Sequence, residues 1–366
     1  MAAQVLDSRA RNRALLARQM LLKRSPARPL TALTHLVGMQ AQTPRSPYTA
    51  LWSRLSGFDP MTLSRAIAAR KAVRIALMRS TIHLVTAADA MRLRPLMQPI
   101  LQRELTAPRW RDALVGVDLA ALAVLARELL DAEPRTPAQL GAALAPFWPD
   151  NEPQALAHAA RTLLPLVQIP PRGLWDGASA TTLATAERWL DRPLDADASW
   201  DAVALRYLAS FGPATAADLV AWSKVTGLAE VFRRLRPRLR VLHDADGREL
   251  VDIRRAPLPP ASTPAPPRFL PDYDNVLLSH ADRNHVVDDA YRRTVQSVNG
   301  VLPGTVLVDG FVAATWTVDR GREVTRLLIT PFEPVPRTRL AAVRAEGRGL
   351  LSLLAADSAR SEVVVR

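Results

Sequence analysis

The chain has 366 residues, of which 48% are hydrophobic and 23% are charged, with 30 Pro, 15 Gly and no Cys. This length allows two or three domains with a sizeable buried core. The absence of Cys excludes disulfides, zinc–thiolate sites, iron–sulfur ligation and cysteine nucleophiles. No apolar run approaches the ~18 residues that span a bilayer, and the N-terminal stretch is charged rather than apolar. We therefore expect a cytoplasmic protein that is neither exported nor inserted in a membrane.

The positive charge is concentrated at the start of the chain. The net charge is +13, and residues 1–80 hold 14 Lys and Arg against only Asp7 and Asp59. The remaining residues are nearly neutral. A regional excess of this kind is typical of a protein that binds the phosphate backbone of nucleic acid. A solvated basic surface without a partner is the alternative, and the uneven distribution favours nucleic acid.

The first 80 or so residues combine short helices with a hairpin. Apolar spacing predicts helices over residues 6–22, 30–40, 48–55 and 61–70, and the period then changes to that of strands at 73–78 and 81–85. Helices followed by a hairpin are typical of a winged helix, a relative of the helix-turn-helix.

The same order of elements occurs twice more. Helices are predicted at 118–131, 136–147 and 153–166 before a short strand and wing at 167–175, and then at 200–211, 213–225 and 229–235 before a hairpin around Asp246-Gly247. The sequence thus predicts a mainly α fold with β wings (α+β), built from three tandem winged-helix units. The predicted units are 1–115, which is basic, 116–196 and 197–255.

The last part of the chain differs in composition. Seven Pro between residues 254 and 271 predict a semi-rigid linker over 256–271. Strands are predicted at 305–319 and 324–332, a helix at 337–354 and a last strand at 361–366. We expect residues 272–366 to form a β-rich, barrel-like domain.

Few residues suggest chemistry by spacing alone. His280, Asp282 and His285 are close enough to suggest a metal site, although a polar loop is the favoured interpretation, and no metal or cofactor is expected. Gln40 and Gln42 flank Ala41 just after Gly38. If the chain is extended there, both carboxamides project to the same side. On spacing alone, two Gln that satisfy backbone groups in a turn are the favoured interpretation.

Ordered blocks along almost the whole chain resemble the AlkZ/YcaQ superfamily of winged-helix DNA glycosylases. One block departs from the family at Ser279, where Gly is expected. The blocks are Gly38-Met39-Gln40-Ala41-Gln42, Pro47-Tyr48, Leu51-Trp52-Ser53-Arg54, Arg79-Ser80-Thr81-Ile82-His83-Leu84, Pro165-Leu166-Val167-Gln168, Pro171-Arg172-Gly173, Leu270-Pro271-Asp272-Tyr273-Asp274, Leu277-Leu278-Ser279-His280-Ala281-Asp282-Arg283 and Val308-Asp309-Gly310.

The resemblance implies three tandem winged helices, a C-terminal β-rich domain and a catalytic Gln-x-Gln motif at Gln40 and Gln42. By this resemblance the two Gln orient the attacking water, and Gln42 occupies the position where the sister branch has an Asp that acts as a base. Relatives of this branch accept bulky adducts and crosslinks, and several provide self-resistance in bacteria that make DNA-alkylating natural products. A tight pocket for a flipped base is therefore less expected.

Six further residues are candidates for DNA contact. A phosphate contact is predicted for Arg45 and Arg79, with a solvated surface Arg as the alternative. His83 could face DNA or support the site from the interior. The set assigned to DNA is Arg45, Arg79, Thr81, His83, His280 and Arg283.

The sequence therefore predicts a monofunctional DNA glycosylase that removes N7-alkylguanine from double-stranded DNA, as a monomer associated with the nucleoid. The nearest lysines to the motif are Lys23 and Lys71, which disfavours a Schiff-base lyase step. A non-catalytic winged-helix transcriptional regulator is the alternative. It would bind one duplex sequence far more tightly than others.

Overall fold

Helices make up most of the N-terminal two thirds of the computed structural model, which describes residues 5–177, 180–295 and 302–366. Most lie where apolar spacing predicts them. The α-helices are α1 (Ser8–Arg18), α2 (Pro29–His35), α3 (Ser46–Arg54), α4 (Pro60–Ala68), α5 (Ala87–Glu104), α6 (Pro108–Ala113), α7 (Leu119–Ala132), α8 (Pro137–Leu144), α9 (Pro153–Leu163), α10 (Ala186–Leu190), α11 (Trp200–Phe211), α12 (Ala216–Ser223), α13 (Ala229–Leu235), α14 (Arg292–Val295) and α15 (Arg337–Leu354).

Side-chain caps set the starts of several of these helices. The Asp7 carboxylate accepts a hydrogen bond from the Ala10 amide at the start of α1, and Asp59 caps α4 in the same way. A capping box formed by Thr136 and Gln139 begins α8. Such caps satisfy amide groups that have no partner within the helix.

The strands form three sheets. One has the order β1-β7-β8, one has the order β2-β4-β3-β5-β6, and the C-terminal one has the order β13-β12-β11-β10-β9. The strands are β1 (Val5–Leu6), β2 (Met39–Gln40), β3 (Ala72–Ala76), β4 (Ile82–Thr86), β5 (Leu166–Gln168), β6 (Leu183–Thr185), β7 (Leu239–Asp244), β8 (Glu249–Ile253), β9 (Arg268–Leu270), β10 (Gly304–Val308), β11 (Phe311–Arg320), β12 (Thr325–Pro331) and β13 (Ser361–Val365).

Sheet pairing and packing connect segments that are distant in sequence. The predicted hairpin β3–β4 is present, and β3 pairs on its other side with β5 from the second predicted unit. The largest hydrophobic core includes Leu33, Phe211 and Leu277, from near the start, middle and later part of the chain. The structure is thus a mixed α+β fold. Its division into three tandem winged helices, with the boundaries given above, stays a prediction.

The prediction of a barrel-like C-terminal domain is wrong. In the described residues the C-terminal sheet is open, with β9 and β13 as its edges. Strand β13 pairs with β12 in parallel, and α15 makes the crossover between them. This helix packs Val343, Leu350 and Leu351 against the same sheet face as Phe269 and Leu327. A barrel would require the two edge strands to pair with each other, and these strands instead flank a five-stranded sheet covered by a helix.

The longest helix outside the C-terminal region was not expected from the sequence. Helix α5 contains Pro95 and Pro99, residues that normally end a helix because they lack an amide hydrogen and clash with the preceding turn. The Thr86 side chain caps its start by accepting from the Asp89 amide. Buried Leu93 and Met97 anchor one face of the helix, so that tertiary packing outweighs the local cost of the prolines.

Much of the N-terminal positive charge is neutralised inside the molecule. Arg13 and Arg9 bind Asp309, and Arg18 and Asp252 form a pair that is almost fully buried. Further ion pairs join the N-terminal helices to distant acidic residues: Arg11–Asp244, Arg24–Glu346 and Arg54–Asp274. The excess of positive charge in residues 1–80 therefore serves partly to hold the N-terminal helices to the rest of the chain.

Candidate active site

The first Gln of the motif lies on a short strand that begins directly after a glycine. Gly38 has a φ of 90°, and a Cβ atom there would lie 2.5 Å from Val85 Cγ1. Both facts require glycine. Strand β2 follows at once, and Gln40 lies opposite His83 of β4 in antiparallel register. The motif thus begins on the edge strand of a five-stranded sheet rather than in a free turn.

The second Gln lies just past the strand. The Ala41 amide donates to the Ile82 carbonyl at 2.7 Å, and the Ile82 amide donates to Gln42 Oε1 across a long 3.4 Å. Gln40 is buried, with 6% of its surface exposed, whereas Gln42 is exposed. The two carboxamides therefore have different environments: one is fixed in the interior and the other is held at the surface by a single long hydrogen bond.

Two predicted DNA-contacting residues lie directly against Gln40. Arg79 has left-handed backbone geometry, with a φ of 56°, in the turn between β3 and β4. Its Nη2 donates to Gln40 Oε1 at 2.9 Å and lies 3.2 Å from His83 Nε2. Its Nη1 donates to the carbonyl of Trp222 at 2.6 Å. Arg79 therefore connects the motif, the hairpin and α12.

Burial determines the charge states around the motif. Burial and the nearby Arg79 charge lower the pKa of His83 to about 3, so His83 is neutral near pH 7. Burial lowers the pKa of Arg79 to about 10, which still leaves it a cation at that pH. The site therefore contains one positive charge beside neutral amide and imidazole groups.

The chain after the motif is held by an acidic residue from the C-terminal region. Asp272 accepts from the hydroxyl of Thr43 at 2.6 Å and from the hydroxyl of Ser46. Between them, exposed Arg45 donates to the Trp175 carbonyl at 3.2 Å and places its guanidinium carbon 4.8 Å from the centre of the Trp175 ring. These contacts fix the loop between Gln42 and α3, and they leave Arg45 at the surface.

The remaining candidates make hydrogen bonds to backbone carbonyls within the protein. The hydroxyl of Thr81 donates to the Met78 carbonyl at 3.0 Å and supports the turn. His280 is buried and bonds through Nε2 to the Phe211 carbonyl, and burial lowers its pKa. Arg283 is partly buried and donates to the Leu277 carbonyl at 3.0 Å. The structure thus brings Gln40, Gln42, Arg79, Thr81 and His83 together, and it places His280 and Arg283 in a separate cluster.

Neither a cluster of three metal ligands nor a membrane-spanning helix is present among the described residues. Among those residues no group of three or more His, Asp or Glu could hold a metal ion. His280 and His285 contact each other, with ring centres 4.6 Å apart, as side chains packed in the interior. None of the described helices is long and apolar enough to span a bilayer.

Sequence reasoning missed three residues that shape the site. Asp272 and Trp175 hold the loop after the motif, and the Trp222 carbonyl accepts from Arg79. Asp272 lies in one of the blocks that carry the family resemblance, so a signal for it was present. Trp222 contributes through its backbone carbonyl, and Trp175 contributes through its carbonyl and through its ring, which lies against Arg45. A sequence pattern gives no signal for contacts of this kind.

The chain is similar to known DNA glycosylases. The family model described as DNA glycosylase AlkZ-like matches residues 33–353, and the chain belongs to this family. Among solved structures, it is similar to Streptomyces sahachiroi DNA glycosylase AlkZ, with a TM-score of 0.79 and 20% identity over 99% of this chain and 100% of that chain. A comparison with curated proteins found no match.

Proposed function

We propose that this DNA glycosylase removes N7-alkylguanine from double-stranded DNA, with Gln40 and Gln42 as its catalytic residues. The observation that carries the proposal is the pair itself. The two side chains of the motif do not titrate. Asp272 lies close to the motif in space, but its carboxylate accepts hydrogen bonds from two hydroxyls. An amide can orient water and stabilise charge, but it is not a general base at neutral pH.

This chemistry suits a base that is already a good leaving group. Alkylation at N7 gives guanine a positive charge, so that cleavage of the glycosidic bond needs no protonation by the enzyme. What remains is to position a water molecule and to stabilise the positive charge that develops on the sugar. A normal base would require an acid that the Gln pair cannot supply.

The surroundings of the pair also support larger adducts. Gln42 is exposed, and the site is therefore open on the side from which a bulky N7 substituent or a crosslink would protrude. We include such adducts in the proposal, and with them a bacterial role in self-resistance. The enzyme is further proposed to act as a cytoplasmic, nucleoid-associated monomer without a lyase step, and its family membership disfavours the alternative of a non-catalytic regulator.

Base release from defined duplexes tests the proposal. A duplex with one 7-methylguanine should yield free 7-methylguanine and an alkali-labile abasic site. Matched duplexes with uracil or with normal guanine should remain intact. Borohydride added during the reaction should trap no protein–DNA adduct. Efficient excision of uracil would contradict the proposed substrate class, because uracil is a neutral base without an activating charge.

A further inference from the structure

Arg79 is a partly buried cation whose partners are all neutral. It donates to Gln40 Oε1, to the Trp222 carbonyl and towards His83 Nε2. None of the ion pairs formed by the described residues includes Arg79, and its Nε is buried without a hydrogen-bond partner. Burying a charge without a counter-charge is costly, and so is the left-handed backbone of a non-glycine residue. Costs of this kind concentrate at functional sites.

The chemistry of arginine determines how Gln40 is oriented. A guanidinium has only donors, so the Gln40 atom that faces Arg79 must be the carbonyl oxygen, and the reverse assignment of the amide is excluded. The same argument makes His83 Nε2 an acceptor. His83 Nδ1 then carries the proton and donates to the Thr81 carbonyl at 3.0 Å.

The amide nitrogen of Gln40 is consequently turned away from Arg79. No described residue accepts a hydrogen bond from it, and it is not among the buried polar atoms that lack a partner. It therefore reaches solvent, although the residue as a whole is buried. Gln42 differs, because it is exposed and its carbonyl oxygen is held by one hydrogen bond of 3.4 Å. That oxygen is free to accept a second, better hydrogen bond.

We propose that Arg79 is a positioning residue that makes Gln40 the hydrogen-bond donor, and leaves Gln42 the acceptor, for the attacking water. The inference rests on the proposed function and assigns different roles to the two Gln. Water held in this way accepts from Gln40 Nε2 and donates to Gln42 Oε1, and its second lone pair is left for attack.

The step balances without an acid or a base on the protein. The water oxygen forms a bond to C1′ of the sugar while the bond from C1′ to N9 breaks. The electron pair of that bond moves onto the alkylated base, which leaves neutral. The products are an abasic sugar with a hydroxyl at C1′, neutral N7-alkylguanine and one proton, which passes to solvent water.

Isosteric substitutions separate the two roles. Gln40→Glu keeps the acceptor for Arg79 but replaces the outward donor by an oxygen, and it gives the partly buried cation a counter-charge. We expect a higher melting temperature together with a single-turnover excision rate about 100-fold lower, since one preorganised donor typically contributes about 10²–10³ in rate. Gln42→Glu keeps an acceptor, so its excision rate should fall less than that of Gln40→Glu, at an unchanged melting temperature.

The same sheet contains a matched control on its opposite face. Arg74 of β3 is buried, and its Nε donates to Gln168 Oε1 at 3.2 Å. Gln168 pairs with Arg74, whereas Gln40 and His83 align with Ile75, the next residue of β3. Neighbouring residues of a strand point to opposite faces of the sheet. Gln168→Glu should therefore resemble Gln40→Glu in the thermal melt and the wild type in excision.

Arg79→Lys, which retains a donor, should keep more of the excision rate than Arg79→Met at equal duplex affinity.

Failure of the Arg79 proposal can be told apart from failure of the proposed function. A wild-type protein that releases no 7-methylguanine contradicts the proposed substrate, while the melting temperatures still test the contact between Arg79 and Gln40. A lower melting temperature for Gln40→Glu overturns that contact. Full excision by Gln40→Glu, or loss of excision in Gln42→Glu alone, overturns the assignment of donor and acceptor.

Discussion

Arg54 of α3 and Asp274 form a bidentate ion pair, with N–O distances of 2.9 and 2.8 Å, and both side chains are only 1% exposed. The same guanidinium donates to Gln19 at the end of α1. One buried residue thus joins the N-terminal helix, the helix after the Gln-x-Gln motif and the segment that follows β9. Because α3 begins four residues after Gln42, this contact also supports the position of the motif.

Asp274→Asn should strongly destabilise the protein. The substitution leaves the Arg54 charge buried without a counter-charge, which typically costs about 3–5 kcal/mol. Urea unfolding measures the change in the free energy of unfolding. Asp59→Asn is the control, because its pair with Arg65 is exposed and such pairs contribute about 0–1 kcal/mol. Equal effects of the two substitutions would contradict the structural role of the buried pair.

Gln40→Ala and Gln42→Ala should each slow excision without preventing duplex binding. Each change removes a polar group from the proposed position of the attacking water, and losses of this kind typically cost about 2.7–4 kcal/mol of barrier. Phosphate contacts supply most of the affinity and are left intact. Single-turnover excision, a binding titration and a thermal melt separate the effects. If both variants excise at the wild-type rate, the two Gln have a structural role only. If both variants fail to fold, the two Gln act by satisfying backbone groups in the turn.

Asp272→Asn should act through the loop that follows the motif. Asparagine has one acceptor oxygen where the carboxylate has two, so the hydroxyls of Thr43 and Ser46 lose the charged acceptor that they share, and one of them can only accept from the amide nitrogen. A hydrogen bond to a charged group contributes about 1.5–3 kcal/mol, and we expect a loss of stability in that range with a moderate loss of rate. If the rate falls as far as in Gln42→Ala while stability is unchanged, Asp272 acts in the chemical step instead.

Binding of undamaged duplex should weaken as salt increases, because phosphate contacts release counterions. Arg45 is exposed beside the motif, and Arg45→Gln should reduce the slope of log K against log salt by about 0.9. Arg326→Gln, on the C-terminal sheet and paired with Glu362, should leave the slope unchanged. An affinity that is independent of salt, or an identical slope in both variants, would remove the assignment of Arg45 to a phosphate contact.

The protein should become less stable as the pH falls below about 6.5. The native pKa is about 3 for His83 and about 4 for His158, so the unfolded chain binds protons at these residues before the native state does. The free energy of unfolding therefore falls by up to about 1.4 kcal/mol per pH unit for each group. Urea unfolding between pH 7 and 5 measures this slope. His83→Gln should flatten it, and an unchanged slope would show that His83 does not contribute.

Local patterns in the sequence determined much of the fold. Apolar spacing and end signals located α11, α13 and α15, and period-two alternation located the hairpin β3–β4. The family was recognisable from short ordered blocks, and Gln40 and Gln42 belonged to one of them. These features depend on neighbouring residues in the chain, which a sequence displays directly.

Only the tertiary structure decided the features that depend on distant partners. Helix α5 persists through Pro95 and Pro99 because buried contacts outweigh local propensity. Six of the twelve arginines in residues 1–80 are held by acidic residues more than 200 positions away, as Arg18 is by Asp252 and Arg13 by Asp309. Arg79 became a neighbour of Gln40 only through the pairing of β2 with β4. Its charge state and its role follow from burial, and burial is a property of the folded chain rather than of any segment.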